Sequence, residues 1–163
     1  MHHREKHLTS NTAKLAQLTL ENASIHERGL LDNPFSIDQL DIKEYETPLY
    51  LFPDEDAEAL NQNFLNNHSG PFHLIVPDGT WNQAKKVRRR VEGLSEIKCV
   101  KLSDDIIGEY KLRKGVRSDG VCTFEAIAYA LKILENEVVF DDLLRIFRIM
   151  NSRVAKSRSA FEN

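Results

Sequence analysis

Apolar residues gather in three short runs, PLYLF at 48–52, FHLIV at 72–76 and IKCVKL at 97–102. Runs of this length, bounded by Pro, Gly, Asp and Ser, read as strands buried on both faces. Helical spacing occupies 55–66 and 82–91 between them. Strand and helix therefore alternate, which predicts the α/β class: a mostly parallel sheet flanked by helices. Ahead of the first strand, Leu15 and Leu18 follow the cluster Thr9-Ser10-Asn11 and predict a short amphipathic helix ending near Glu21-Asn22. Residues 32–48 carry Pro34 and Pro48 without a clear period, as a loop or short helix would. Past the last strand, Phe124, Ile127, Ala128, Leu131 and Leu134 recur at spacings of three and four and predict a helix over 123–137. Asp141 or Asp142 then caps a final helix to about Lys156.

Composition narrows this picture. With 163 residues, 41% hydrophobic and 29% charged, the chain suits one globular domain over 1–163. No apolar run approaches the roughly 20 residues of a membrane span, and the amino terminus lacks a signal-peptide core, so a soluble cytoplasmic protein is expected. The two cysteines, Cys99 and Cys122, form no CxxC pair, and no disulfide framework or metal site is expected.

The net charge of −3 hides a segregation. Residues 21–60 hold eleven acids against Arg28 and Lys43. Residues 80–117 hold eleven bases against five acids, with Lys85, Lys86, Arg88, Arg89 and Arg90 in one helical stretch. Arg145, Arg148, Arg153, Lys156 and Arg158 follow with no acid from 143 to 161. Such a distribution fits one face built for a polyanion, and equally two solvated helix faces.

Ligands of an open parallel sheet sit outside the carboxyl ends of its strands. There the sequence places Pro53-Asp54, then Pro77-Asp78-Gly79-Thr80-Trp81, then Tyr110-Lys111-Leu112-Arg113. Pro77 stops a strand, Gly79 permits a tight turn, Thr80 caps the next helix, and Asp78 is expected in a turn outside the core, where a carboxylate can face a ligand near a helix amino terminus. Farther on, Thr123 occupies a cap position with Glu125 in the first turn. Each segment alone is equally an ordinary turn or cap, with Trp81 an ordinary packing anchor.

Their order resembles the DTW-domain family of tRNA-uridine aminocarboxypropyltransferases, named for an Asp-x-Thr-Trp signature. The resemblance runs from His3-Arg4-Glu5 and Ser10-Asn11-Thr12-Ala13-Lys14-Leu15-Ala16 through Arg28-Gly29, Leu51-Phe52-Pro53 and Val76-Pro77-Asp78-Gly79-Thr80-Trp81 to Tyr110-x-Leu112-Arg113 and Cys122-Thr123-x-Glu125-Ala126. It departs in two places. Ala13 stands where the family commonly has glycine, and a cysteine-rich segment with a first strand is expected to be lacking before His3.

The resemblance implies a SPOUT-like fold with a trefoil knot near the carboxyl-terminal half. It also implies S-adenosylmethionine as cofactor, held by loops 51–53, 77–81 and 112–123, and tRNA as partner, with no membrane and no metal. The cofactor-binding residues it implies are Asn11, Thr12, Leu51, Phe52, Pro53, Pro77, Asp78, Gly79, Leu112, Arg113, Cys122, Thr123 and Glu125, with Arg113 on the cofactor carboxylate. Asp78, Thr80 and Trp81 would be catalytic, Asp78 as base for uridine N3 or as ligand of the cofactor's amino group. Lys85, Lys86, Arg88 and Arg89 would meet RNA phosphates. Two other functions fit the same residues, a SPOUT-like RNA methyltransferase and a catalytically idle RNA-binding module.

Overall fold

The structure, a computed structural model, describes residues 1, 11–29, 32, 34–110 and 120–161. Four strands, β1 (Thr47–Leu51), β2 (Glu58–Ala59), β3 (Phe72–Ile75) and β4 (Lys98–Lys101), form one sheet in the order β2-β4-β1-β3. Every pairing is parallel, as the alternation of strand and helix predicts. Leu49, Tyr50 and Leu51 are buried in succession because β1 is central and covered on both faces.

One face packs Tyr50, Phe52 and Cys99 against Ala84 and Val87 of α3 (Trp81–Arg90). The opposite face packs Leu49, Leu51 and Val100 against Phe64 of α2 (Gln62–Asn67) and Ala130 of α4 (Thr123–Leu134). A third cluster joins α1 (Ala13–Thr19), α4 and α5 (Glu137–Phe161), with Phe124 stacked on Phe147 at 5.5 Å between ring centroids. Both ends of the chain are thereby tied to α4, which carries Thr123.

Three sequence-based boundaries are corrected. The helix expected over 55–66 begins only at Gln62, where the Asn61 side chain accepts a hydrogen bond from Phe64 N at 3.0 Å. Residues 58 and 59 instead extend the sheet beside Val100 and Lys101, a tertiary pairing that overrides local propensity. The last helix starts at Glu137, with Asn136 Oδ1 accepting from Val139 N at 3.0 Å, so Asp141 and Asp142 lie inside it. At α1 the N-cap residue is Thr12, and the helix closes at Thr19. Among the described residues no helix is long and apolar enough to cross a membrane.

Candidate functional site

Asp78 follows β3 at the carboxyl edge of the sheet, where Pro77 interrupts strand pairing. It is not an exposed turn residue: only 4% of its surface is accessible. A buried carboxylate needs donors on both oxygens. Asn11 Nδ2 donates to Oδ2 at 2.9 Å and Thr123 Oγ1 donates to Oδ1 at 2.7 Å. Asn11 is itself fixed, since its Oδ1 accepts from Ala13 N at 2.9 Å. Residues from before α1, after β3 and the start of α4 thus converge on one carboxyl group.

The geometry depends on a cap shifted by one residue from the sequence expectation. Cys122, not Thr123, is the N-cap of α4. Glu125 Oε2 accepts from Cys122 N at 2.9 Å, and its Oε1 accepts from Glu109 N. With that terminus satisfied by Glu125, the Thr123 hydroxyl is available to Asp78. Glu125 is 1% exposed and works on the backbone of two loops. Gly108 makes that approach possible, since a Cβ there would lie 2.5 Å from Gly120 O. Thr12 lies beside it, accepting from Phe124 N at 3.4 Å.

Arg28 closes the other side. Its Nη2 donates to the Asp78 carbonyl at 3.0 Å. Gly79, at φ 138°, passes so close that a Cβ would meet Arg28 Nη2 at 3.3 Å and Gln83 Oε1 at 2.7 Å. A cavity of about 550 Å³ opens from Asp78, Thr123 and Arg28 along β3 past Tyr50 to His73, whose Nδ1 lies 3.1 Å from Glu46 Oε2. Its volume is in the range of small-molecule sites. Met1 also lines it, with Sδ 3.3 Å from Asn11 Nδ2 and its ammonium donating to His26 O at 2.7 Å. Burial lowers the Met1 amine below its usual pKa, and Asp78 pulls it back up.

The structure therefore brings Asn11, Asp78 and Thr123 into direct contact, with Thr12, Pro77, Gly79, Cys122 and Glu125 in the surrounding turns. Thr80 is exposed and bound in a capping box, its N donating to Gln83 Oε1 at 2.8 Å and its Oγ1 accepting from Gln83 N at 3.4 Å. Trp81, 47% exposed, rests against Phe52 at 5.2 Å between centroids. Leu51 and Phe52 are buried and Pro53 is exposed. Leu112 and Arg113 lie outside the described residues, as do His3, Arg4, Glu5 and Ser10. Sequence reasoning did not assign Arg28, Tyr50, Glu46 or His73 to the site. Two signals pointed to Arg28: Arg28-Gly29 is one of the blocks of the family resemblance, and it is one of two bases among the acids of 21–60.

On α3, Lys85, Lys86 and Arg89 are exposed. Arg88 is placed differently: its side chain is 11% exposed and lies 2.5 Å from Asp56 and 3.6 Å from Asp54. It also donates to the Ser95 and Ile97 carbonyls. Asp56 holds its guanidinium above the ordinary arginine pKa. Among the described residues no group of three or more His, Cys, Asp or Glu side chains is arranged to hold a metal ion.

The DTW domain matches residues 1–155. The chain is 34% identical to tRNA-uridine aminocarboxypropyltransferase 2 of Macaca fascicularis over 98 residues, 60% of this chain and 33% of that protein. Similar matches of 32% over 88 residues and 33% over 98 residues occur to proteins of the same name in Drosophila melanogaster and Mus musculus. They cover 54% and 60% of this chain, and 34% and 33% of those proteins. The chain spans about a third of the length of these relatives. No solved structure matches it. With the signature Asp78-Gly79-Thr80-Trp81 at the sheet edge and the domain match spanning nearly all of its length, the chain belongs to the DTW-domain family.

Proposed function

We propose that this protein transfers the 3-amino-3-carboxypropyl group of S-adenosylmethionine to N3 of a uridine in tRNA, releasing methylthioadenosine. The observation that carries the reading is the buried Asp78, oriented by Asn11 and Thr123 in the lining of a ligand-sized cavity. When bound, the donor supplies an electrophilic methylene next to its sulfonium, and the rest is positioning and proton handling by the chain.

Uridine N3 is a weak acid, and removing its proton when its pKa lies about two units above ambient pH costs about 3 kcal/mol. Asp78 serves either as the base that takes this proton or as the anchor of the donor's ammonium, which sets the methylene in line with N3. Leu51, Phe52, Pro53, Pro77 and Gly79, with Leu112 and Arg113, bound the donor. Trp81 offers an exposed ring beside Phe52 on which a flipped-out base stacks, and Thr80 fixes the turn that aims it. Lys85, Lys86 and Arg89 meet flanking phosphates. The reading includes a SPOUT-like knotted fold, which the all-parallel sheet and the convergence of loops 77–81 and 120–123 support, and a cytoplasmic location.

The test is nucleoside mass spectrometry of tRNA incubated with the protein and S-adenosylmethionine, with the spent donor identified. Aminocarboxypropyluridine with methylthioadenosine is expected. Methyluridine with S-adenosylhomocysteine would make the protein a methyltransferase, and unchanged tRNA still bound by the protein would make it an RNA-binding module.

A further inference from the structure

Two groups at the cavity have no role in the chemistry above. Arg28 spends one N–H on the Asp78 carbonyl, and a guanidinium has five. Among the described residues it makes no ion pair, and Asn11 and Thr123 each donate to one oxygen of the Asp78 carboxylate, which leaves each oxygen a further lone pair. Burial pulls its pKa below the usual arginine value, while Tyr50 and Asp78 act in the opposite direction. Tyr50 is fully buried, lines the same cavity, and its hydroxyl has no hydrogen-bond partner among the described residues. Native interiors seldom leave a buried hydroxyl unpaired without a reason. After burial itself, the Arg28 charge is the strongest influence on the Tyr50 phenol, which places the two in each other's field.

An α-amino acid carries an ammonium and a carboxylate on one carbon, so its receptor needs an acid and a base side by side. Asp78 and Arg28 are held together by the 3.0 Å bond between them, and Gly79 leaves the space. We infer that Arg28 and Tyr50 form a carboxylate-binding pair for the amino-acid end of the donor, the guanidinium giving a paired contact and the hydroxyl a further one, with Asp78 beside them on the ammonium. This rests on the reading that the donor is S-adenosylmethionine, and it assigns the carboxylate to Arg28 in place of Arg113. Charge-assisted contacts of this kind are strong and geometrically selective.

Calorimetric titration with S-adenosylmethionine, its decarboxylated analogue and methylthioadenosine tests the pair. The wild type is expected to bind S-adenosylmethionine about tenfold or more tighter than the decarboxylated analogue, the range that hydrogen bonds to a charged group supply. Arg28→Gln should bring the two within about threefold and leave methylthioadenosine affinity unchanged. Tyr50→Phe should reduce the preference by several-fold, with the fold as stable as before because the lost hydroxyl has no hydrogen-bond partner among the described residues. If Arg28→Gln does not fold, Tyr50→Phe decides. A preference intact in the folded variants, or lost only in Arg113→Gln, overturns the pair and leaves the donor reading standing. A wild type that binds no S-adenosylmethionine overturns both.

Discussion

Thr123 Oγ1 donates to Asp78 Oδ1 at 2.7 Å across 45 residues of sequence, so the first turn of α4 sets the orientation of the carboxylate after β3. Replacing Asp78 by alanine leaves Thr123 and Asn11 as buried donors without an acceptor, at a cost of about 1–3 kcal/mol. The expected result is a lowered melting temperature together with transfer reduced by about a hundredfold or more. Asp78→Asn keeps the shape and separates the two roles. An ammonium anchor predicts a raised donor KM with product still formed, whereas a general base predicts a fall in kcat at unchanged KM. The former is expected here, because Arg28 stands beside Asp78.

Thr123→Val removes the hydroxyl at nearly constant volume. Asp78 keeps its bond from Asn11 but loses its tether to α4. Steady-state kinetics should show transfer lowered by about tenfold, with stability changed by about 1 kcal/mol. An unchanged rate would mean that Asn11 alone orients the carboxylate.

Much of this arrangement was legible in the chain. Apolar runs at 48–52, 72–76 and 97–102 named the long strands because burial on both faces leaves an unbroken apolar signature, and the rule that ligands meet the strand ends pointed to Asp78. The two-residue β2 was illegible, since Glu58 and Ala59 carry no strand pattern and pair only because β4 offers an edge. The burial of Asp78 was hidden for a similar reason: its donors come from positions 11 and 123, and nothing local in Pro77-Asp78-Gly79 announces them. Arg88 looked like its neighbours, but the acids that engage it lie at 54 and 56, two strands and a helix earlier in the chain.

Cys122 gives a pH-dependent signature. Burial, with the nearby Glu125 charge adding to it, pushes its thiol up to about 12 from 9.0, and burial also raises Cys99. Both thiols are therefore protonated near neutrality, and alkylation followed by mass spectrometry should label neither until denaturant is added. The unfolded thiol ionises first, so stability is intact below pH 9 and falls as pH rises from 9 toward 12. Denaturation midpoints between pH 8 and 10 should show this decline, flattened in Cys122→Ala. Tyr50, also raised by burial, adds to the decline only above pH 10.

The basic face of α3 separates binding cations from structural ones. Lys85, Lys86 and Arg89 are exposed and share one side of the helix at spacings of three and four, while Ala84 and Val87 turn inward. Arg88 borders that inner row and is clasped by Asp54, Asp56 and two carbonyls. If the exposed three meet tRNA phosphates, changing them together to alanine should reduce the magnitude of the salt slope of tRNA affinity by about two to three units, with donor affinity and melting temperature nearly unchanged. Arg88→Ala should do the reverse. It leaves the partly buried Asp54 without its cation and frees the loop before β2, so stability should drop by about 1–3 kcal/mol while the salt slope holds. A slope that falls with Arg88 alone, or does not fall with the other three, would move the tRNA surface to α5, where Arg145, Arg148, Arg153 and Lys156 line a shallow groove.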